Sequence, residues 1–206
     1  MIQISVDLRD NSLRAAFVLS SKVAPFQIDP ATGGLTQAGS AAAPNSGAIA
    51  ADATNVYVAA NADGNSAIFG FSLAANGALA GVSGSPFFFA TGCSNCDVPS
   101  ALALQSRLLF AGGVGFQGVG DATFYTRGPG GVLANMQRLG TTEIERVAIQ
   151  PAGNVAYGVD QSQGAIVGFM IDASGKPSPG SFTGDDPSRG LSRRCHRSQR
   201  EVPGGA

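Results

Sequence analysis

Three short stretches hold side chains that could do chemistry. In "EIERVAIQP" (143–151), Glu143 and Glu145 stand two apart, so a strand would put both carboxylates on one face as an acid and a base. The plainer reading is a charged strand edge that discourages sheet-to-sheet pairing. In "TGCSNCD" (91–97), Cys93 and Cys96 make one pair, whereas structural zinc takes four ligands. That pair is either a small loop-pinning disulfide, which would suggest an oxidising compartment, or two free thiols. Cys195 has no obvious partner. "GVGFQG" (113–118) spells G-x-G-x-x-G, but a dinucleotide fingerprint needs a helix immediately after it. The segment "DATFYTR" (121–127) instead alternates as a strand does, so the glycines read as an inter-strand loop. Arg127 and Asp160 each suit either a site or a structural ion pair. His196 is the single histidine, and it lies near the C-terminal end. There is no serine nucleophile elbow, histidine cluster or acidic calcium loop of known spacing.

The elements that must position these groups are strands. Of 206 residues 29 are glycine and only 13% are charged, a mix suited to many short strands joined by tight turns. A formal net charge of −1 leaves no electrostatic footprint for nucleic acid or an anionic membrane. No apolar run approaches the roughly 20 residues of a membrane helix. The opening "MIQISVDLRDNSLR" carries Asp7 and Asp10 where a signal peptide would be basic and then apolar. The chain is therefore expected to be cytosolic or, if its beginning is missing, exported.

A repeat organises the whole. Phe71, Gly77 and Leu79 set a ruler that Tyr125, Gly131 and Leu133 match, as do Phe169 and Gly175 with Pro177 in the leucine slot. "PFQIDPATGGLT" supplies an earlier copy with Phe26, Gly34 and Leu35. The aromatic-to-aromatic steps are 45, 54 and 44 residues. A second motif starts at Ile4, Ile49, Leu102 and Val147, with steps of 45, 53 and 45. Two interleaved motifs thus share one period and one insertion. Each is an alternating hairpin around a turn such as "DATN", "QPAGN" or "DASG". Two hairpins per repeat make a four-stranded unit, the size of a propeller blade, with blades over approximately 4–48, 49–101, 102–146 and 147–182. No window sustains a helical period. One thin sheet cannot bury both faces alone, so Phe26, Phe71, Tyr125 and Phe169 are expected to fill the gaps between blades.

The stretches "PFQIDPATGGLTQAGS", "VYVAAN", "GSPF" and "VAIQPAGNVAYGVD" resemble the lactonase-type seven-bladed β-propeller family, the 6-phosphogluconolactonase-like proteins. The resemblance covers residues 1 to about 182. It implies an all-β propeller of which about four four-stranded blades are present out of seven, either an open arc with two exposed blade faces or a fragment of a longer protein. It also implies a sugar-acid lactone as substrate, hydrolysed near the central channel without a cofactor. Enzymatic members of the family lead into a blade strand with Pro-Arg-His. Aligned on Val147, Ala148 and Ile149, Glu145 takes the arginine slot and Arg146 the histidine slot, which makes these two the candidate catalytic residues. The absent histidine opens a second expectation, a non-enzymatic, exported scaffold that binds a protein or ligand. The exposed faces would suit a protein partner or self-association. From 183 the chain leaves the pattern: its last 24 residues hold five of eleven arginines and no alternation, as a shifted reading frame or a disordered tail would give.

Overall fold

The computed structural model describes residues 3–7, 14–19, 21–29, 31–62, 65–88, 99–113, 121–140, 144–160 and 163–180. Cys93, Cys96, Glu143, Cys195, His196, most of the 113–118 loop and the 183–206 tail lie outside them.

Among these described residues four antiparallel sheets succeed one another. The first is β1 (Gln3–Asp7), β2 (Arg14–Leu19), β3 (Lys22–Ile28) and β4 (Leu35–Gln37), with β5 (Ala41–Ala42) also on β3. The second is β6 (Ala48–Ala51), β7 (Asn55–Ala62), β8 (Asn65–Leu73) and β9 (Leu79–Gly81), with β10 (Phe87–Phe88) also on β8. In these two sheets the outermost strand is broken in the middle. The third is β11 (Ala101–Gln105), β12 (Leu108–Gly113), β13 (Asp121–Arg127) and β14 (Leu133–Gly140). The fourth is β15 (Ile144–Ile149), β16 (Val155–Asp160), β17 (Ala165–Ile171) and β18 (Pro177–Gly180). A single 3-10 turn, Pro129–Gly131, is the one helical element among the described residues.

Turn chemistry sets these hairpins. Gly77, Gly131 and Gly175 take φ of +81°, +83° and +85° at the same point of three repeats, where a side chain would be strained. In the first repeat Gly33, at +70°, takes this role rather than Gly34. Asp52 closes the β6–β7 turn by accepting from the backbone N–H groups of Thr54 and Asn55, each at 2.9 Å.

The first strands of successive sheets touch, β1 to β6, β6 to β11 and β11 to β15, so they form the inner edge of the stack. The sheets lean face on face, and three apolar clusters fill the gaps. Val23 and Ala43 meet Ile49, Val56, Val58 and Phe71 between the first two sheets. Tyr57 and Ile68 meet Leu109, Ala111 and Tyr125 between the second and third. Phe110 and Phe124 meet Ile144, Ala156, Phe169 and Ile171 between the third and fourth. Strand β7 shows why its sequence reads as an unbroken apolar run. Val56 and Val58 face the first sheet while Tyr57 faces the third, so both faces are covered. This is part of a β-propeller. Of the four expected gap-filling aromatics, Phe71, Tyr125 and Phe169 are buried against the preceding sheet. Phe26 departs from the expectation. It is half-buried and belongs to none of the three clusters, because its slot faces away from the second sheet.

Candidate functional site

Glu145 and Arg146 stand at the beginning of β15, the innermost strand of the fourth sheet. Ile144 anchors that beginning. Its wholly buried side chain projects into space left by two glycines: a Cβ on Gly112 of the third sheet would meet it at 2.7 Å, and one on Gly158 at 2.9 Å. The ladder to β16 then slips. Ile144 opposes Asp160 and Arg146 opposes Val159, which leaves Glu145 as the extra residue of a bulge. A bulge re-aims a side chain that regular pleating would have held in line. Glu145 is half-buried, Arg146 is exposed, and the Arg146 Nη1 donates to the Glu145 carbonyl oxygen at 2.9 Å.

Across the ladder, the Asp160 carboxylate is 1% exposed. Its Oδ1 accepts from the Gln163 backbone N–H at 3.2 Å, which ties the end of β16 to the turn after it. The structure therefore brings Glu145, Arg146 and Asp160 to one end of the two innermost strands of one sheet. A carboxylate and a guanidinium on adjacent residues can together take a proton from water and stabilise a developing oxyanion. Among the described residues no three His, Cys, Asp or Glu side chains gather as metal ligands.

A groove of about 720 Å³ opens at the other end of β15, between the turns of the third and fourth sheets. Gln105, Arg107, Arg127, Asn154, Asp172 and Ser174 help line it. It is separated from Glu145 by the length of the strand. The Asp172 carboxylate at its lip is already engaged by Ser174 Oγ, at 2.6 Å, and by the N–H groups of Ser174 and Lys176.

Arg127 has a structural partner. Its guanidinium pairs with Asp52 of the second sheet and reaches Asn55 Oδ1 at 3.4 Å. Beside them the Tyr57 hydroxyl donates to the Gly131 carbonyl at 2.7 Å. Burial pushes the Tyr57 phenol up to about 12, against the opposing pull of Arg127. The sequence singled out Arg127 without its partner. The pairing spans 75 residues and becomes visible only once the second and third sheets are known to be neighbours. "DATFYTR" is strand β13, so the glycine-rich loop leads into a strand and not a helix.

No family model matches the sequence, and no curated protein matches it. Solved structures do match. A candidate 6-phosphogluconolactonase from Bacteroides uniformis superposes with a TM-score of 0.66 at 16% identity, covering 89% of this chain and 57% of that one. The periplasmic gluconolactonase PpgL of Pseudomonas aeruginosa gives 0.61 at 18% identity, covering 77% and 49%. The Cps50 (Swd1) β-propeller domain of Myceliophteria thermophila gives 0.57 at 13% identity, covering 83% and 55%. The fold is a β-propeller fold. The chain spans about half the length of each of these structures.

Proposed function

We propose that the chain is part of a lactonase-like β-propeller that hydrolyses a sugar-acid lactone, with Glu145 and Arg146 in the reaction. The observation that supports this reading is their position. They adjoin on a bulged innermost strand, in a fold whose solved relatives include a gluconolactonase. In the proposed reaction the Glu145 carboxylate takes a proton from water as the oxygen adds to the lactone carbonyl. The Arg146 guanidinium stabilises the resulting oxyanion. Collapse breaks the bond to the ring oxygen, which takes the proton back from Glu145, and the open-chain hydroxy acid leaves. Asp160, buried opposite Ile144, ties the end of β16 to the turn after it. No cofactor enters the scheme.

The test is pH-stat hydrolysis of gluconolactone and related sugar lactones by the purified protein. Turnover above the spontaneous rate is expected. Glu145→Gln should lower kcat by about 10²–10⁴-fold with little change in KM. Arg146→Ala should lower kcat by about 10²–10³-fold. Hydrolysis no faster than background across the lactones, or a Glu145→Gln variant with unchanged kcat, would overturn the proposal.

A further inference from the structure

At the turn end of the stack, two neighbouring gaps between sheets are closed differently, and the difference leaves one cation unmet. Equivalent positions can be read from the backbone. The N–H groups of Leu73, Arg127 and Ile171 donate to the carbonyl oxygens of Thr54, Arg107 and Asn154, each within its own sheet. Between the second and third sheets, Arg127 reaches from that position to Asp52 in the β6–β7 turn, and the ion pair spans the gap. Between the third and fourth sheets the same position is Ile171, which is apolar and buried. The β11–β12 turn on the other wall carries Arg107 in place of a carboxylate. The groove of about 720 Å³ opens here, where the ion pair of the previous gap has no counterpart.

The side chains left unengaged in this groove are mainly donors. Among the described residues no hydrogen bond or ion pair holds the side chains of Ser106, Arg107 or Asn154. A guanidinium such as that of the exposed Arg107 is a rigid fork of N–H donors with no acceptor. The Asp172 carboxylate is taken up by its own turn, through Ser174 and the Lys176 N–H, and the Lys176 charge lies near it. Arg127 also borders the groove, with its charge met by Asp52. The Gln105 side-chain amide donates to the Pro151 carbonyl at 2.7 Å and ties the two walls together.

We propose that this groove binds a small hydroxylated organic anion, a carboxylate or a phosphate monoester, with its charge on Arg107. The anion takes the part that Asp52 plays toward Arg127 one gap earlier. A planar guanidinium meets either group through two parallel N–H···O bonds. Ser106 and Asn154 bond the hydroxyl groups, and Leu108 and Ile171 give the carbon skeleton an apolar floor. The volume lies within the range of about 300–1,000 Å³ usual for small-molecule sites. This inference is independent of the lactonase reading, because the groove lies at the opposite end of β15 from Glu145 and Arg146.

The experiment titrates the whole chain with glucuronate, glucose 6-phosphate and neutral glucose, following backbone and arginine side-chain signals by nuclear magnetic resonance. At least one anion is expected to shift Ser106, Arg107 and Asn154 together, and the tighter of the two identifies the charged group. Glucose should bind at least about tenfold more weakly, since it lacks the charge. Arg107→Met should weaken the anion by about ten- to hundredfold, as loss of a charge-assisted hydrogen bond does. Arg107→Lys keeps the charge without the fork and should recover part of that loss. Arg107 is exposed in a turn, and circular dichroism checks that both variants are folded. Arg107→Met should leave lactone hydrolysis unchanged and Glu145→Gln should leave the titration unchanged, so the failure of one reading is distinguishable from that of the other. No binding of either anion at millimolar concentration overturns the proposal. So does glucose binding as tightly as the anions, or an Arg107→Met variant that binds like the wild type.

Discussion

Truncating Phe110 tests the packing between sheets at the point where it is densest. Its side chain is wholly buried between the third and fourth sheets. Its ring stacks on Phe124 at 4.2 Å and 13° and meets the edge of Phe169 at 5.4 Å and 79°. Phe110→Ala removes the transfer energy of a phenyl ring and leaves a cavity that stiff sheets cannot collapse, so a loss of about 3–5 kcal/mol is expected. Part of this, about 0.5–1.5 kcal/mol, belongs to the ring pair with Phe169 and should appear as the coupling term of a double-mutant cycle with Phe169→Ala. Tyr157 occupies the same slot of the next repeat and is more than a third exposed. Tyr157→Ala should therefore cost less than about 1 kcal/mol. The assay is urea unfolding monitored by tyrosine fluorescence and far-ultraviolet circular dichroism, whose transitions must coincide for the energies to be comparable. If Phe110→Ala cost no more than Tyr157→Ala, the argument that each sheet is buried by its neighbours would fail.

The polar contacts between the second and third sheets give three further expected outcomes. Burial alone would raise the Asp52 carboxylate. The Thr54 and Asn55 N–H groups and the Arg127 guanidinium outweigh it and hold its pKa below the ordinary 3.8. A group depressed in the folded state stabilises above its unfolded pKa and loses that contribution as pH falls through the folded value. Stability should therefore drop below about pH 4, and by less in Arg127→Met, as read from urea midpoints across a pH series. Tyr57→Phe removes the donor to the buried Gly131 carbonyl and should cost about 1–2 kcal/mol in the same unfolding assay. Gly131→Ala should be worse, by about 2–4 kcal/mol, since φ is +83° and a Cβ would stand 2.7 Å from the Asn55 Cγ. Gly130→Ala, at φ +68° with open space around it, should cost about 1–2 kcal/mol and serves as the control.

The sheets were legible because their signals are local. Alternation, Asx turns and a glycine at one fixed step from an aromatic are each set within a dozen residues, and repetition multiplied them. Single positions were less legible. Gly33 rather than Gly34 carries the positive φ of the first repeat, because two adjacent glycines offer the turn a choice that only backbone geometry resolves. Phe26 reads like Phe71 in sequence and differs from it only in having no preceding sheet among the described residues. The candidate site was legible as two residues, Glu145 and Arg146, through the strand they lead into. The slip that sets Glu145 apart was not. A bulge depends on how Ile144 seats between Gly112 and Gly158, two residues on different sheets. For the same reason the burial of Asp160 and the pairing of Arg127 with Asp52 had no local signature.

Nuclear Overhauser contacts across the strands and between the sheets test the repeat most directly. The account requires Ile49 beside Val58 and Val147 beside Gly158, the matching pairs of two repeats, together with ring contacts from Phe110 to Phe169 across the third gap. A spectrum that pairs either strand differently, or shows the two rings remote from each other, would contradict it.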